Sequence, residues 1–135
     1  MKNKHPGVSC LYKFIDAFNT AEKNNIITNL HFPHYVHSNG NEPVIYKNGE
    51  DFWKSLSVQL DTMIKVENWS FSTLDKCKII NKTDKTLQCE VEFNRRLINK
   101  KSYGSAKGIW ALQLRSMIPV SGTISSLAGT NMNYS

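Results

Sequence analysis

The clearest pattern in the sequence is a strict alternation of apolar and polar residues beyond its midpoint. It runs through Leu87-Gln88-Cys89-Glu90-Val91-Glu92-Phe93-Asn94. Because successive side chains of a β-strand point to opposite faces of its sheet, this run predicts a strand with one buried and one exposed face. A half-buried strand of this kind is typical of an antiparallel sheet, whose apolar face must be covered by a second layer.

Two amphipathic helices are predicted before this strand. Residues 8–23 carry one apolar stripe at helical spacing, formed by Val8, Leu11, Tyr12, Ile15 and Phe18. A second helix is predicted to begin at Asn48, whose side chain can cap it, and Glu50 and Asp51 suit the dipole of its first turn. Pro33 excludes continuous helix between the two, because proline lacks a backbone N–H and clashes with the preceding turn.

Extended segments are predicted on both sides of the second helix. Residues 32–38 and 43–47 flank an Asn-Gly turn and are expected to pair as a short hairpin. Further strands are predicted over residues 66–80 and 109–118, with a short strand ahead of Lys107.

The order of these elements predicts one α+β domain over residues 1–135, in which helices cover one face of a curved antiparallel sheet. The folded core is expected to span residues 8–118. Residues 119–135 are rich in Ser, Gly, Thr and Asn and have little to bury, so they are expected to form a loose tail, or to order only against a partner chain.

Four segments carry a family resemblance. They are Phe14-Ile15-Asp16-Ala17-Phe18-Asn19, Leu30-His31-Phe32-Pro33-His34-Tyr35-Val36, Phe93-Asn94-Arg95 and Gly108-Ile109-Trp110-Ala111-Leu112-Gln113. In this order they resemble the nuclear transport factor 2-like superfamily, also described as SnoaL-like. The second segment is similar to the His-Phe-Pro-His segment of small uncharacterised members. The resemblance implies a cone-shaped, cystatin-like roll with a pocket at its open end, and a homodimer formed through the outer face of the sheet.

That superfamily contains isomerases, dehydratases, cyclases, epoxide hydrolases and non-catalytic binding proteins, so the fold does not decide the function. We expect a small, mostly apolar or anionic molecule to bind in the cone pocket. Two alternatives stay open. One is a small cofactor-independent enzyme of the isomerase, lyase or hydrolase type that uses His31 or His34 with a carboxylate. The other is a non-catalytic protein-interaction module. No cofactor is expected.

Three histidines, His31, His34 and His37, form the most conspicuous chemical motif. On a strand, an offset of three residues places neighbouring side chains on opposite faces, so the three imidazoles cannot converge on one metal ion. We therefore expect no metal site. His31 and His34 are the candidate acid/base residues, because imidazole titrates near neutral pH. A structural role, with a ring nitrogen bonded to the backbone, is the alternative.

Aromatic residues are numerous, and most are expected to pack in the core, while a subset lines an apolar pocket. The predicted pocket consists of Tyr12, Phe18, Tyr35, Trp53, Trp69, Phe71, Glu92, Arg95 and Trp110. Arg95 is included because a guanidinium can hold an anionic group through several donors. Glu92 is included because burial beside Glu90 would turn one of the two carboxyls into an acid. The apolar residues Val91 and Phe93, however, favour the outer face for both acids.

The charge is unevenly distributed. The sequence has Lys+Arg 17 and Asp+Glu 11, a net charge of +6. Glu92 is the last acidic residue, and six basic residues follow it, so the whole excess lies beyond that position. This excludes a catalytic carboxylate on the closing strand and favours a neutral or anionic ligand over a cationic one. The basic residues form no dense block, and no RNA-binding motif occurs, which disfavours a nucleic-acid partner.

Cys10, Cys77 and Cys89 are odd in number and lack the spacing of a disulfide framework or a zinc site. The first residues lack the apolar run of a signal peptide, and no apolar run approaches the ~18 residues needed to cross a membrane. We therefore expect a cytoplasmic protein with reduced thiols and no membrane partner.

Overall fold

Three helices and six strands make up the part of the chain that the computed structural model describes, which is residues 5–38, 42, 44–115 and 123–134. The helices are α1 (Pro6–Phe18), α2 (Lys23–Ile27) and α3 (Gly49–Lys65). The strands are β1 (Leu30–Ser38), β2 (Val44–Tyr46), β3 (Phe71–Lys82), β4 (Thr86–Arg96), β5 (Ser102–Arg115) and β6 (Thr123–Tyr134). The strands form one sheet in the order β2-β1-β6-β5-β4-β3. Neighbouring strands are antiparallel except β1 and β6, which are parallel. The predicted α+β class is confirmed.

The first helix is shorter than the predicted span of residues 8–23. It begins after His5, whose Nδ1 accepts a hydrogen bond from the Gly7 backbone N–H at 3.0 Å. It ends at Phe18, because Ala21 adopts a left-handed backbone conformation with φ of 56°, which a right-handed helix cannot contain. The apolar stripe is nevertheless buried, at Leu11, Phe14 and Ile15.

The second predicted helix is confirmed as α3, including its cap. Asn48 Oδ1 accepts a hydrogen bond from the Asp51 backbone N–H at 2.9 Å, which satisfies one of the donors that a helix leaves open at its start. The buried side chains of α3 are Leu56, Leu60 and Met63. They recur at spacings of four and three residues, so they form one stripe that joins the core.

The alternating run forms β4, a strand with one buried face as predicted, between β3 and β5. Leu87, Cys89, Val91 and Phe93 of β4 are all buried, and they share one core with the apolar side chains of α1 and α3. We call this the inner face of the sheet and the opposite side its outer face. Strand β5 extends the inner face, because Trp110 lies directly opposite Cys89.

Two features of the carboxyl-terminal half correct the sequence prediction. Ser102–Arg115 is one continuous strand, not a short strand followed by a separate closing strand. The expected loose tail is wrong for Thr123–Tyr134, whose backbone forms β6 between β5 and β1. Strand pairing joins backbone N–H and C=O groups, so small polar residues can form a strand without apolar side chains to bury. Residues 116–122 lie outside the described part of the chain.

Candidate functional site

A cavity of about 500 Å³ lies between the helices and the inner face of the sheet. Helix α1 contributes Phe14, Ile15 and Phe18 to its lining, and α3 contributes Phe52, Leu56 and Met63 among others. The sheet contributes His34 and Val36 from β1, Ser72 from β3, Phe93 and Arg95 from β4, and Ala106 and Trp110 from β5. The volume lies within the range of pockets that hold small molecules, and most of the lining is apolar, as in such pockets.

Aromatic rings dominate one wall of the cavity. The ring centroid of Trp110 lies 5.2 Å from that of Phe14 and 6.1 Å from that of Phe93. Phe18 continues the wall at 6.0 Å from Phe14. The rings are tilted or edge-on to one another, the arrangement that aromatic quadrupoles prefer. This wall presents flat apolar surface to the cavity.

His34 is the histidine that the fold brings into the cavity. It is only 2 % exposed, and aromatic rings surround it. Its ring centroid lies 6.3 Å from Phe32, 5.6 Å from Phe52 and 5.9 Å from Trp110. A buried imidazole among rings is held in place by packing, and its nitrogens can interact with a molecule in the cavity.

Arg95 also lines the cavity, and a carboxylate balances its charge. Its Nη1 donates to Glu67 Oε1 at 3.0 Å, and the same oxygen accepts from the Tyr103 hydroxyl at 2.7 Å. The side chains of Arg95 and Glu67 are 17 % and 29 % exposed, so this pair is partly withdrawn from water. Burial, followed by the hydrogen bond to Glu67, raises the pKa of Tyr103 to about 12. We call these three residues the Glu67 cluster.

A second polar group, Ser72, is buried at the cavity wall and fully bonded. Its backbone N–H donates to Asn19 Oδ1 at 2.8 Å, and its carbonyl oxygen accepts from Asn19 Nδ2 at 2.9 Å. Its hydroxyl oxygen accepts from Trp69 Nε1 at 2.9 Å. Asn19 therefore joins the end of α1 to β3, and Ser72 satisfies the indole of Trp69.

The indole nitrogen of Trp110 differs from that of Trp69. Trp110 is 6 % exposed, and its Nε1 is buried without a hydrogen-bond partner in the described part of the chain. A buried donor without an acceptor costs ~1–3 kcal/mol, so such groups are uncommon in folded proteins. The Trp110 indole is therefore a buried donor at the cavity wall whose hydrogen bond the described residues do not supply.

Four of the residues predicted from the sequence line the cavity, namely His34, Phe18, Arg95 and Trp110. The others that were predicted do not line it. Tyr35 lies between two cavity residues of β1 and is 41 % exposed. Trp69 is buried behind Phe18, at a centroid distance of 5.7 Å. Tyr12 and Trp53 pack against the core outside the cavity, and His31 is also absent from its lining.

Phe71 and Glu92 lie on the outer face, which corrects their assignment to the pocket. Phe71 is paired with Arg96, whereas the neighbouring pair, Ser72 and Arg95, is the one that lines the cavity. Glu92 is adjacent to the buried residues of β4, so it points to the other side, where Lys107 Nζ lies 3.9 Å from its Oε1.

Glu90 shares the outer face with Glu92, so the two acids form no pair inside the cavity. Lys76 Nζ lies 2.9 Å from Glu90 Oε1. The hydrogen bond from Lys76 and the attraction of its charge lower the pKa of Glu90 from its ordinary value. Both carboxylates therefore belong to an exposed row of alternating charges, as the polarity of the strand indicated.

The described residues contain neither a cluster of metal ligands nor a membrane-spanning helix. Within residues 5–38, 42, 44–115 and 123–134, no group of three or more His, Cys, Asp or Glu side chains is arranged to hold a metal ion. The side chain of His37 lies outside the described residues. No helix in these ranges is long and apolar enough to span a membrane.

Several cavity residues were missed from the sequence. Phe14, Phe52 and Met63 belong to predicted helical stripes, but periodicity alone does not distinguish a core position from a cavity position. Ser72 was missed because its neighbour Phe71 is the apolar residue of the two, and a polar residue in a strand is usually exposed.

No protein-family model and no curated protein matches this sequence. Solved structures do match in fold. A protein of unknown function with a cystatin-like fold from Nostoc punctiforme has a TM-score of 0.70 at 11 % identity, over 93 % of this chain and 87 % of its own. A nuclear transport factor 2-like protein from Cytophaga hutchinsonii has a TM-score of 0.65 at 12 % identity, over 96 % and 97 % of the two chains.

A third similar structure is a ketosteroid isomerase-like protein from Erwinia carotovora atroseptica, with a TM-score of 0.57 at 11 % identity, over 92 % of this chain and 90 % of that one. These similarities confirm the predicted cystatin-like, nuclear transport factor 2-like fold. The low identities carry no information about activity, because this fold accommodates unrelated functions.

Proposed function

We propose that this protein binds a small, neutral and mostly apolar molecule inside the cavity. The observation that carries the proposal is the cavity itself, about 500 Å³ in volume and walled by Phe14, Phe93 and Trp110 among other apolar side chains. Burying apolar surface in such a site contributes ~25 cal/mol per Å², which supports binding of a compact aromatic molecule.

The electrostatics of the cavity favour a neutral ligand over an anion. The lining includes one arginine, Arg95, and one carboxylic acid, Glu42, in the part of the chain that the structure describes. The Arg95 charge is balanced by Glu67 at 3.0 Å, and Glu42 is exposed. An anion bound at Arg95 would meet the carboxylate of Glu67 and gain little.

The test is binding of phenylnaphthylamine, a neutral dye whose fluorescence rises in apolar surroundings. Val36→Trp places a large side chain in the cavity, because Val36 lines it. Tyr35→Trp is the matched control, because Tyr35 is adjacent but exposed outside the cavity. We expect the wild type and Tyr35→Trp to bind the dye with equal affinity, and Val36→Trp to lose it. Equal binding by all three proteins would reject the cavity as the binding site.

A second candidate function is catalysis by His34, favoured by its burial in the cavity wall. In this reading a neutral imidazole exchanges a proton with the ligand, and Glu42 is the carboxylate that lines the same cavity. The reaction class is an isomerisation, elimination or hydrolysis without a cofactor. Turnover of a screened substrate that survives His34→Ala unchanged would reject His34 as the acid or base.

We also propose that the protein is a cytoplasmic homodimer that associates through the outer face of the sheet. That face presents opposite charges side by side, Lys76 beside Glu90 and Lys107 beside Glu92, which can pair across a symmetric interface. No disulfide joins the three cysteines, which suits a reducing compartment. Sedimentation equilibrium tests the dimer, and a monomer at micromolar concentration would reject it.

A protein-interaction module with a closed cavity is the remaining alternative, and absence of dye binding would favour it.

A further inference from the structure

We infer, on the basis of the proposed binding function, that the ligand carries a neutral hydrogen-bond acceptor such as a ketone oxygen, and that the indole N–H of Trp110 binds it. The starting point is the buried Nε1 of Trp110, which has no hydrogen-bond partner among the described residues although its side chain lines the cavity. An acceptor on a bound molecule would satisfy this donor and remove the cost of leaving it unpaired.

The comparison with Trp69 shows that the fold does satisfy a buried indole where no ligand is needed. Trp69 Nε1 donates to Ser72 Oγ at 2.9 Å, and Trp69 does not line the cavity. Both indoles are 6 % exposed, so they differ in hydrogen bonding and not in burial. The unpaired donor therefore lies on the residue that borders the cavity.

The surroundings of Trp110 supply mostly apolar contact, and the imidazole of His34, at a centroid distance of 5.9 Å, is their polar member. The rings of Phe14 and Phe93 lie at centroid distances of 5.2 Å and 6.1 Å, and neither carries a lone pair. Across the sheet, Trp110 is opposite the small residues Cys89 on β4 and Gly129 on β6. A ligand with a flat apolar body and one acceptor matches this combination of rings and a single donor. Nε1 is covered in the structure, so this inference requires a neighbouring side chain to move aside when the ligand binds.

The class of acceptor follows from the charges. A carboxylate would accept from Trp110, but Arg95, the guanidinium of the cavity, is already balanced by Glu67. A neutral carbonyl oxygen accepts the same hydrogen bond without requiring a compensating cation. We therefore assign an aromatic or alicyclic ketone, or a similar neutral carbonyl compound, as the ligand class.

The test compares acetylnaphthalene with ethylnaphthalene, which share the naphthalene rings and a two-carbon substituent and differ in the carbonyl oxygen. Each is titrated against the phenylnaphthylamine-loaded protein, for the wild type and for Trp110→Phe. Because the two compounds differ in their own hydrophobicity, the decisive quantity is the change in their affinity ratio between the two proteins. We expect Trp110→Phe to weaken acetylnaphthalene relative to ethylnaphthalene by roughly three- to tenfold. An affinity ratio that changes by less than about 1.5-fold in a folded variant would overturn the inference.

A second measurement is made on the wild type and does not need the Trp110→Phe variant. The indole N–H signals of the wild type are recorded by ¹⁵N NMR and assigned through Trp53→Phe and Trp69→Phe. We expect acetylnaphthalene, but not ethylnaphthalene, to shift the Trp110 indole proton downfield, while the Trp69 signal, already bonded to Ser72, stays in place. Equal shifts with both compounds would also overturn the inference. If the wild type does not bind the dye at all, the proposed binding function itself fails. A protein that binds the dye but releases it to neither compound contradicts only the ligand class inferred here.

Discussion

Replacing Glu67 by Gln tests whether the ion pair between Glu67 and Arg95 stabilises the fold. Glutamine keeps an oxygen that can accept from Tyr103 but removes the negative charge beside Arg95. Exposed ion pairs contribute ~0–1 kcal/mol, whereas breaking a fully buried pair costs ~3–5 kcal/mol. The Arg95 and Glu67 side chains are 17 % and 29 % exposed, between these limits. We therefore expect Glu67→Gln to lower the free energy of unfolding by about 2 kcal/mol.

Urea unfolding followed by circular dichroism measures this loss. Glu90→Gln is the matched control, because Glu90 also pairs with one cation, Lys76, but on the exposed outer face. We expect the control to unfold at the urea concentration of the wild type. If Glu67→Gln also unfolds at the urea concentration of the wild type, the assignment of a partly buried, stabilising ion pair is refuted.

The tyrosine titration gives an independent measurement on the same variant. The pKa of Tyr103 is about 12, raised from 10.0 first by burial and then by Glu67. A raised pKa means that the folded state holds the phenol proton more tightly. This contribution to stability is therefore complete below about pH 10 and is lost as the pH rises towards 12. We expect Glu67→Gln to lower the pKa of Tyr103, read from phenolate absorbance. An unchanged titration would contradict the contact.

Further predictions concern the Asn19–Ser72 hydrogen bonds, the thiols and the charge of the cavity. Asn19→Ala removes two hydrogen bonds to Ser72 and should cost about 2 kcal/mol in urea unfolding, with Asn19→Asp intermediate. A loss below ~0.5 kcal/mol would contradict a stabilising role of these two bonds. Hydrogen bonding with Cys77 and burial raise the pKa of Cys89. We therefore expect iodoacetamide at pH 8 to label Cys77 before Cys89, as followed by mass spectrometry. Labelling in the reverse order would contradict this prediction. Glu67→Gln should strengthen naphthoate binding relative to acetylnaphthalene, since it removes the carboxylate that pairs with Arg95 and would repel an anion beside it. An unchanged affinity ratio would count against a cavity that favours neutral ligands.

The elements that local chemistry defines could be predicted from the sequence. Asn48 caps α3 and the run around Val91 forms the half-buried strand β4, because capping and alternation depend on neighbouring residues only. Strand β6 could not be predicted, because its residues lack an apolar pattern and its position depends on pairing with distant strands. Long-range backbone pairing leaves little trace in composition.

The cavity residues divide in the same way. Phe18, Arg95 and Trp110 were predicted, because each lies on an element whose inner face the sequence indicates. Phe71 was predicted to line the pocket as an aromatic residue, but Ser72 and Leu74 are the buried residues at this end of β3. The register of β3 shifts between Leu74 and Lys76, and a bulge of this kind reverses which alternate residues face inward.

The most direct test of the central claim is a crystal structure of the protein with acetylnaphthalene. We predict density for one molecule inside the cavity, between the rings of Phe14 and Phe93, with its oxygen within hydrogen-bond distance of Trp110 Nε1. A cavity filled by its own side chains, or a ligand bound only on the outer face of the sheet, would contradict the account.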